Sequence, residues 1–217
     1  MLSRFDRRVV AESVLDFVRG CRERFDCSLG GGAALSGAYL AHRTTGDIDL
    51  YLDDADDMRA LVAALPEVAS SVDGVVTVLR DVGYLVRARL ETSQGSVEMD
   101  VVHDPVPDVE EPPPPLEGIV VKALADLRAS KLTCILSRSE PRDLVDLFFL
   151  DCAGHPPEDD LELARLKDAG IDPGILAWLL SQFPTTPLPN MLEPLTSEQL
   201  ELFRGNLAER LRRISLR

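Results

Sequence analysis

Residues 27 to 52 read CSLGGGAALSGAYLAHRTTGDIDLYL, and this stretch restricts the fold more than any other part of the chain. Three consecutive glycines open an apolar, helix-compatible run, a basic turn follows, and the segment closes on two aspartates separated by one isoleucine. Side chains at i and i+2 of a strand share a face. Asp47 and Asp49 therefore project together, while Ile48 and Leu50 project into the core. Two carboxylates on one face repel unless something positive stands between them. A hard divalent cation such as Mg²⁺ is the natural partner, taking one or two carboxylates together with substrate phosphates. Glycines ahead of a helix supply the complementary half, because free amides at a helix start bind phosphate and a missing Cβ lets it come close. The Gly-Lys-Ser/Thr signature of a P-loop is absent, which excludes that phosphate-binding class.

Each of these features alone is commonly a surface strand end or a turn; a third carboxylate changes the weighing. In GSVEMDVVH, residues 95 to 103, Val97, Met99 and Val101 form one face and Glu98 and Asp100 the other. Asp100 sits mid-strand, where an unpaired buried charge would be costly. If this strand neighbours DIDLYL, then Asp47, Asp49 and Asp100 converge beside a phosphate-binding turn, the arrangement of a two-metal phosphoryl-transfer site.

The surrounding pattern predicts an α/β half followed by a helical half. Val9, Val10, Val14, Phe17, Val18 and Cys21 recur at helical spacing within residues 6 to 25. Ala33 to Ala41 reads as a second helix, and DDMRALVAALPEV as a third that stops near Pro66. Strands follow in GVVTVLRDV, GYLVRARLE and GSVEMDVVH, the last two joined by a turn at Thr92-Ser93-Gln94-Gly95. Residues 105 to 117 hold six prolines and four acids and read as an irregular loop, with a short strand at 118 to 122. Beyond it the chain reads as helical, ending in a helix capped by Thr196 and Gln199 that runs to about residue 214. No internal repeat is present.

Composition narrows the functional classes. Thirty-seven acidic against twenty-three basic residues give a net charge of −14, which disfavours broad, nonspecific binding of polyanions but not a local basic site. Four widely separated cysteines and three scattered histidines argue against a disulfide framework and a zinc site and for buried thiols in a reducing compartment. No apolar run reaches the length of a membrane span, and the charged N-terminus lacks a signal-peptide core. A cytoplasmic protein with no membrane association is the expectation.

The motifs GGGAALSGAYLAHRTTGDIDL, VEMDVV and ALADLRASKLTCILSRSEPRDLVDL together resemble the DNA polymerase β-like nucleotidyltransferase superfamily, and within it the AbiEii/AbiGii-type toxin family. The likeness spans roughly residues 27 to 150, with a fainter echo near the C-terminus. Fourteen residues stand between Gly31-Gly32 and Asp47, a spacing similar to the AbiEii branch, although Gly30 leaves the register of the glycine pair open by one residue. The resemblance implies an α+β fold: a polymerase β-like nucleotidyltransferase domain over residues 1–122, a mixed sheet flanked by helices that includes the Pro-rich loop at 105–117, followed by a helical domain over 123–217.

The same resemblance implies an enzyme that moves an NMP from an NTP, ATP included, to an acceptor hydroxyl. The acceptor would be RNA such as a tRNA 3′ end, in the toxin of a bacterial toxin–antitoxin pair with a cognate antitoxin protein. Gly31 and Gly32 would hold the triphosphate. Asp47, Asp49 and Asp100 would bind Mg²⁺ or Mn²⁺, and Asp100 would take the proton of the acceptor. Lys131 would contact nucleotide phosphate, and Asp146 matches a further family motif. Nucleotidylation of a protein or small molecule, and a catalytically silent NTP-binding module, are the alternatives.

Bland readings stand beside these. A lysine on an apolar helical stripe usually snorkels to water. Arg138 and Arg142 could pair with Asp143 and Asp146 as a helix-stabilising network. His42-Arg43 favours a helix dipole, although Arg43 could also reach nucleotide phosphate. The basic C-terminal run RGNLAERLRRISLR is most simply a solvated helix face, with a tRNA-facing surface as the second option.

Overall fold

The computed structural model describes residues 1–216. The chain divides into two compact units, Met1–Ala123 and Leu124–Arg217. The first contains α1 (Glu12–Arg22), β1 (Ser28–Gly30), α2 (Gly31–Ala34) continuing into a π-helical stretch (Leu35–Leu40), β2 (Asp47–Leu52), α3 (Ala55–Ser70), β3 (Val75–Asp81), β4 (Leu85–Thr92) and β5 (Gly95–His103). The second holds α4 (Leu124–Ser137), α5 (Pro141–Cys152), a 3₁₀ turn (Pro157–Asp160), α6 (Leu161–Lys167), α7 (Pro173–Gln182) and α8 (Ser197–Ser215).

The five strands form one sheet in the order β1-β2-β5-β4-β3. β2 and β5 are parallel, and the other neighbours are antiparallel. The sheet is mixed and the architecture α+β. Strand alternation places the core on one face: Ile48, Leu50, Leu52, Val86, Ala88, Leu90, Met99 and Val101 are all buried. The intervening residues of β2, β4 and β5 are half-buried or exposed, so the opposite face of these strands is open and polar.

Several boundaries differ from the sequence reading, each for a local reason. α1 begins at Glu12 rather than near residue 6. The Asp6 carboxylate accepts a bond from the Arg8 amide (2.9 Å), and a side chain that serves a neighbouring amide competes with helix formation. α3 does not stop at Pro66 but continues to Ser70. Pro66 is exposed, so its ring and the missing bond face water, while Val68 and Ala69 beyond it are buried and reward continuation. At 118 to 122 only isolated bridges form, Leu29 to Val121 and Leu116 to Ile119, rather than a strand. β1, three residues long, is too short to leave a periodic signal. The capping box of α8 is present: Thr196 Oγ1 accepts from the Gln199 amide (3.2 Å) and Gln199 Oε1 from the Thr196 amide (2.8 Å).

Candidate active site

The open face is organised by register. Asp49 of β2 is the direct partner of Asp100 of β5, and Asp47 is the partner of Glu98. Partners in register show their side chains on the same face of a sheet. Asp49 and Asp100 are therefore neighbours across one strand spacing, about 4.8 Å. The next strand adds cations. Arg87 of β4 lies opposite Asp100 and Arg89 opposite Glu98. Arg87 forks onto Asp100, its Nε donating to Oδ1 (2.8 Å) and its Nη2 to Oδ2 (2.7 Å). That pairing raises the Arg87 pKa still further above its ordinary value. Arg89 reaches Glu98 at 3.0 Å. Beside Asp49, Thr45 Oγ1 donates to Asp47 Oδ1 (2.7 Å), fixing that carboxylate at the strand entrance.

The glycines are explained by what stands against them. A Cβ on Gly31 would lie 1.7 Å from Asp49 Oδ2, and the residue sits at φ +58°. Only glycine satisfies both the left-handed backbone and the contact. A Cβ on Gly32 would lie 2.8 Å from Arg43 Nη2, and one on Gly30 would lie 2.4 Å from the Tyr51 ring. Gly31 and Gly32 thus stand against Asp49 and Arg43, and Gly30 against Tyr51.

The helix that follows starts at Gly31 rather than Ala33, and its second half is π-helical. The Ala41 amide donates to the Ser36 carbonyl (2.8 Å), five residues back, and Ala41 adopts a left-handed conformation. The wider turn ends the helix on His42 and Arg43, which are both buried. His42 Nδ1 lies 3.2 Å from Ser36 Oγ, and Arg43 Nη1 donates to the Thr44 carbonyl (3.0 Å). Arg43 is thus not a solvated helix-end charge but a buried cation against the glycine turn. π-turns recur at functional sites.

The donor set suits a hard cation: carboxylate oxygens on adjacent strands, with an amide-bearing glycine turn against one of them. Among the described residues, no three acidic, histidine or cysteine side chains are already gathered as a metal cage. In the resting arrangement both Asp100 oxygens are instead held by Arg87.

Lys131 and Asp146 lie in the helical unit. Lys131 is 4% exposed, so it does not snorkel to water. Its Nζ is 2.7 Å from Asp146 Oδ2 and 3.1 Å from Asp143 Oδ1. Arg138 forks onto Asp143 at 2.8 and 2.9 Å. Burial alone would raise the Asp143 pKa, but the Arg138 bonds and the Lys131 charge outweigh it and hold the carboxyl below its usual range. Arg142 Nε lies 2.5 Å from Glu140 Oε2. At the C-terminus Arg212 and Arg213 both pair with Glu209 on an exposed face.

Residues 22–215 match the family described as the AbiEii nucleotidyl transferase toxin of type IV toxin–antitoxin systems. The chain belongs to this family. AbiEii membership makes the protein a nucleotidyltransferase. No curated protein matches the sequence. Solved structures share the fold. A candidate nucleotidyltransferase from Helicobacter pylori has a TM-score of 0.59 at 21% identity, with 94% of each chain covered. JHP933, also from H. pylori, gives 0.57 at 20%, covering 96% of this chain and 95% of that one. The nucleotidyltransferase toxin MenT4 from Mycobacterium tuberculosis gives 0.58 at 17%, covering 94% and 82%.

Two open-face residues of this AbiEii chain escaped the sequence reading, Arg87 and Arg89, and Glu98 was placed on that face without a partner. The signal was available. Thr92 and Gly95 are partners at the hairpin end, and counting back from that turn pairs Arg87 with Asp100 and Arg89 with Glu98.

Proposed function

We propose that this AbiEii protein transfers a nucleoside monophosphate from an NTP to the terminal hydroxyl of an RNA such as tRNA, as the toxin of a pair whose antitoxin restrains it. The supporting observation is the direct register of Asp49 with Asp100 on the open face, with the Asp49 carboxylate seated against Gly31. Phosphates would lie along the Gly31-Gly32 turn, where backbone amides and the Arg43 guanidinium face them. Asp100 would accept the proton of the acceptor hydroxyl. The freed oxygen attacks the α-phosphorus, the bond to the bridging oxygen breaks, and pyrophosphate leaves with its electron pair. Asp47, Asp49 and Asp100 would hold Mg²⁺ or Mn²⁺, which supplies charge neutralisation and a more acidic acceptor hydroxyl. The family likeness assigns Lys131 to nucleotide phosphate and Asp146 to the nucleotide-binding set; Lys131 would have to exchange a carboxylate for phosphate to serve there. The cytoplasm, where NTPs and RNA meet, is the proposed compartment.

The test is incubation with each labelled NTP, Mg²⁺ and total RNA, comparing wild type with Asp100→Asn. The variant should retain NTP binding and lose transfer by at least about a hundredfold, the low end of general-base contributions. Full transfer by Asp100→Asn would overturn the assignment, and labelling of protein in place of RNA would overturn the acceptor.

A further inference from the structure

The row through the carboxylates does not stop at Arg87. Arg80 of β3 is the register partner of Arg87. One line of residues therefore crosses all five strands: Gly30, Asp49, Asp100, Arg87, Arg80. At the strand spacing, the two arginines stand about 5 and 10 Å from Asp100, on the side away from the glycine turn.

A β-bulge brings Arg80 into this line. Up to Val78 the β3–β4 pairing would set Leu79 opposite Arg87 and point Arg80 to the other face. The register shifts between Val78 and Arg80, and Arg80 takes the place opposite Arg87. Bulges near active sites re-aim side chains in this way. The outcome is unfavourable for the protein alone, since like charges directly opposite across strands destabilise a sheet. Arg87 is answered by Asp100. Arg80 is exposed, and among the described residues no hydrogen bond or ion pair engages its side chain. An anion between the two guanidiniums would relieve the repulsion that the bulge creates.

We propose that Arg80 and Arg87 seat the backbone phosphate behind the terminal hydroxyl of a single-stranded polynucleotide acceptor. This rests on the transferase reading above and adds to it where the acceptor lies. The NTP phosphates occupy the glycine end of the row, the acceptor hydroxyl meets Asp100 in the middle, and the acceptor chain leaves across β4 and β3. Spacing selects the class: cations one and two strands beyond the proton acceptor match a phosphodiester next to a terminal hydroxyl. A small polyol or a serine side chain carries no anion there. Arg87 thereby has two partners in turn, Asp100 at rest and the acceptor phosphate on binding, so that arrival of the acceptor frees the Asp100 oxygens. Guanidinium suits both, since it forks onto carboxylate and phosphate alike.

The experiment uses the full chain and a fluorescent twelve-nucleotide single-stranded RNA, with anisotropy measured across a salt series. Arg80→Gln should weaken binding about three- to tenfold and lower the slope of log affinity against log salt by roughly 0.7, the value for one single-strand phosphate contact. Arg80→Lys should restore most of both, and binding of a fluorescent NTP should be unchanged in all. Unaltered affinity and slope in Arg80→Gln, or no RNA binding by wild type at low salt, overturns the seat and leaves Arg80 as a charge guarding an edge strand. The two readings fail separately. RNA labelling that Arg80→Gln leaves intact removes the seat and keeps the transferase. An Arg80-dependent RNA affinity in a wild type that labels nothing removes the transferase and keeps the seat.

Discussion

Two clusters of the same residue types sit in the two units and are built to opposite ends. On the open face of the sheet, Asp100 and Arg87 pair with side chains 19% and 49% exposed. In the helical unit, Lys131 with Asp143 and Asp146 pairs with side chains only 5%, 0% and 0% exposed. Ion pairs in reach of water are worth little and exchange partners readily. Buried ones break at high cost, because removal of one member strands a charge in a poor solvent. The contrast separates ion pairs that exchange partners at little cost from ion pairs whose separation is expensive, so Lys131 could turn to phosphate only at the expense of a buried pair.

The largest expected effect tests the buried side. Lys131→Met removes the cation shared by Asp146 (2.7 Å) and Asp143 (3.1 Å) and should cost about 3–5 kcal/mol of stability, the usual penalty for breaking a buried ion pair. A urea titration with unchanged slope and a lowered midpoint would register it. Unchanged stability with transfer abolished would break the contrast and leave phosphate contact as the sole role of Lys131.

A middle-sized effect is expected at the glycine turn. Gly31→Ala places a Cβ 1.7 Å from Asp49 Oδ2 at φ +58°. Strain at such a backbone costs about 1–3 kcal/mol, and relief of the clash must move the Asp49 carboxylate. Transfer should therefore fall more than thermal stability does. Normal turnover in Gly31→Ala would show that the seating of Asp49 is not needed.

The smallest effect sharpens the comparison from its exposed end. Arg7 forks onto Glu117 at 2.7 and 2.8 Å, and this hydrogen bonding pulls the Glu117 pKa from 4.5 down to about 2. The folded value lies below the unfolded one, so the stabilisation is fully present above about pH 4.5 and is lost as pH falls towards 2. Glu117→Gln should cost no more than about 1 kcal/mol at pH 7, as for other exposed pairs. Melting temperatures of variant and wild type should converge across that acid window. A gap that persists at pH 2 would assign the loss to packing instead of charge.

How much was legible follows the range of the interactions. Alternation in DIDLYL and GSVEMDVVH is local, and it places Asp47, Asp49 and Asp100 on polar strand faces without any knowledge of neighbours. The α8 cap is equally local, set by Thr196 and Gln199 three residues apart. The continuation of α3 through Pro66 was not legible, since it depends on what Val68 and Ala69 bury against. The partner of Lys131 was not legible either: helical spacing shows a lysine on an apolar stripe, and only packing reveals that two carboxylates share its burial.

By itself the sequence determined the residue types of the site, the faces on which its carboxylates lie, and the family to which the chain belongs. The first two follow from side-chain chemistry and from the two-residue period of a strand, and the family from the match of residues 22–215 to its model. The tertiary structure decided which strands are neighbours, and so that Asp49 meets Asp100, that Arg87 holds Asp100, and that a bulge turns Arg80 onto the same line. Strand order and register are fixed by hydrogen bonds between segments far apart in the chain, joined through a core that no local pattern describes.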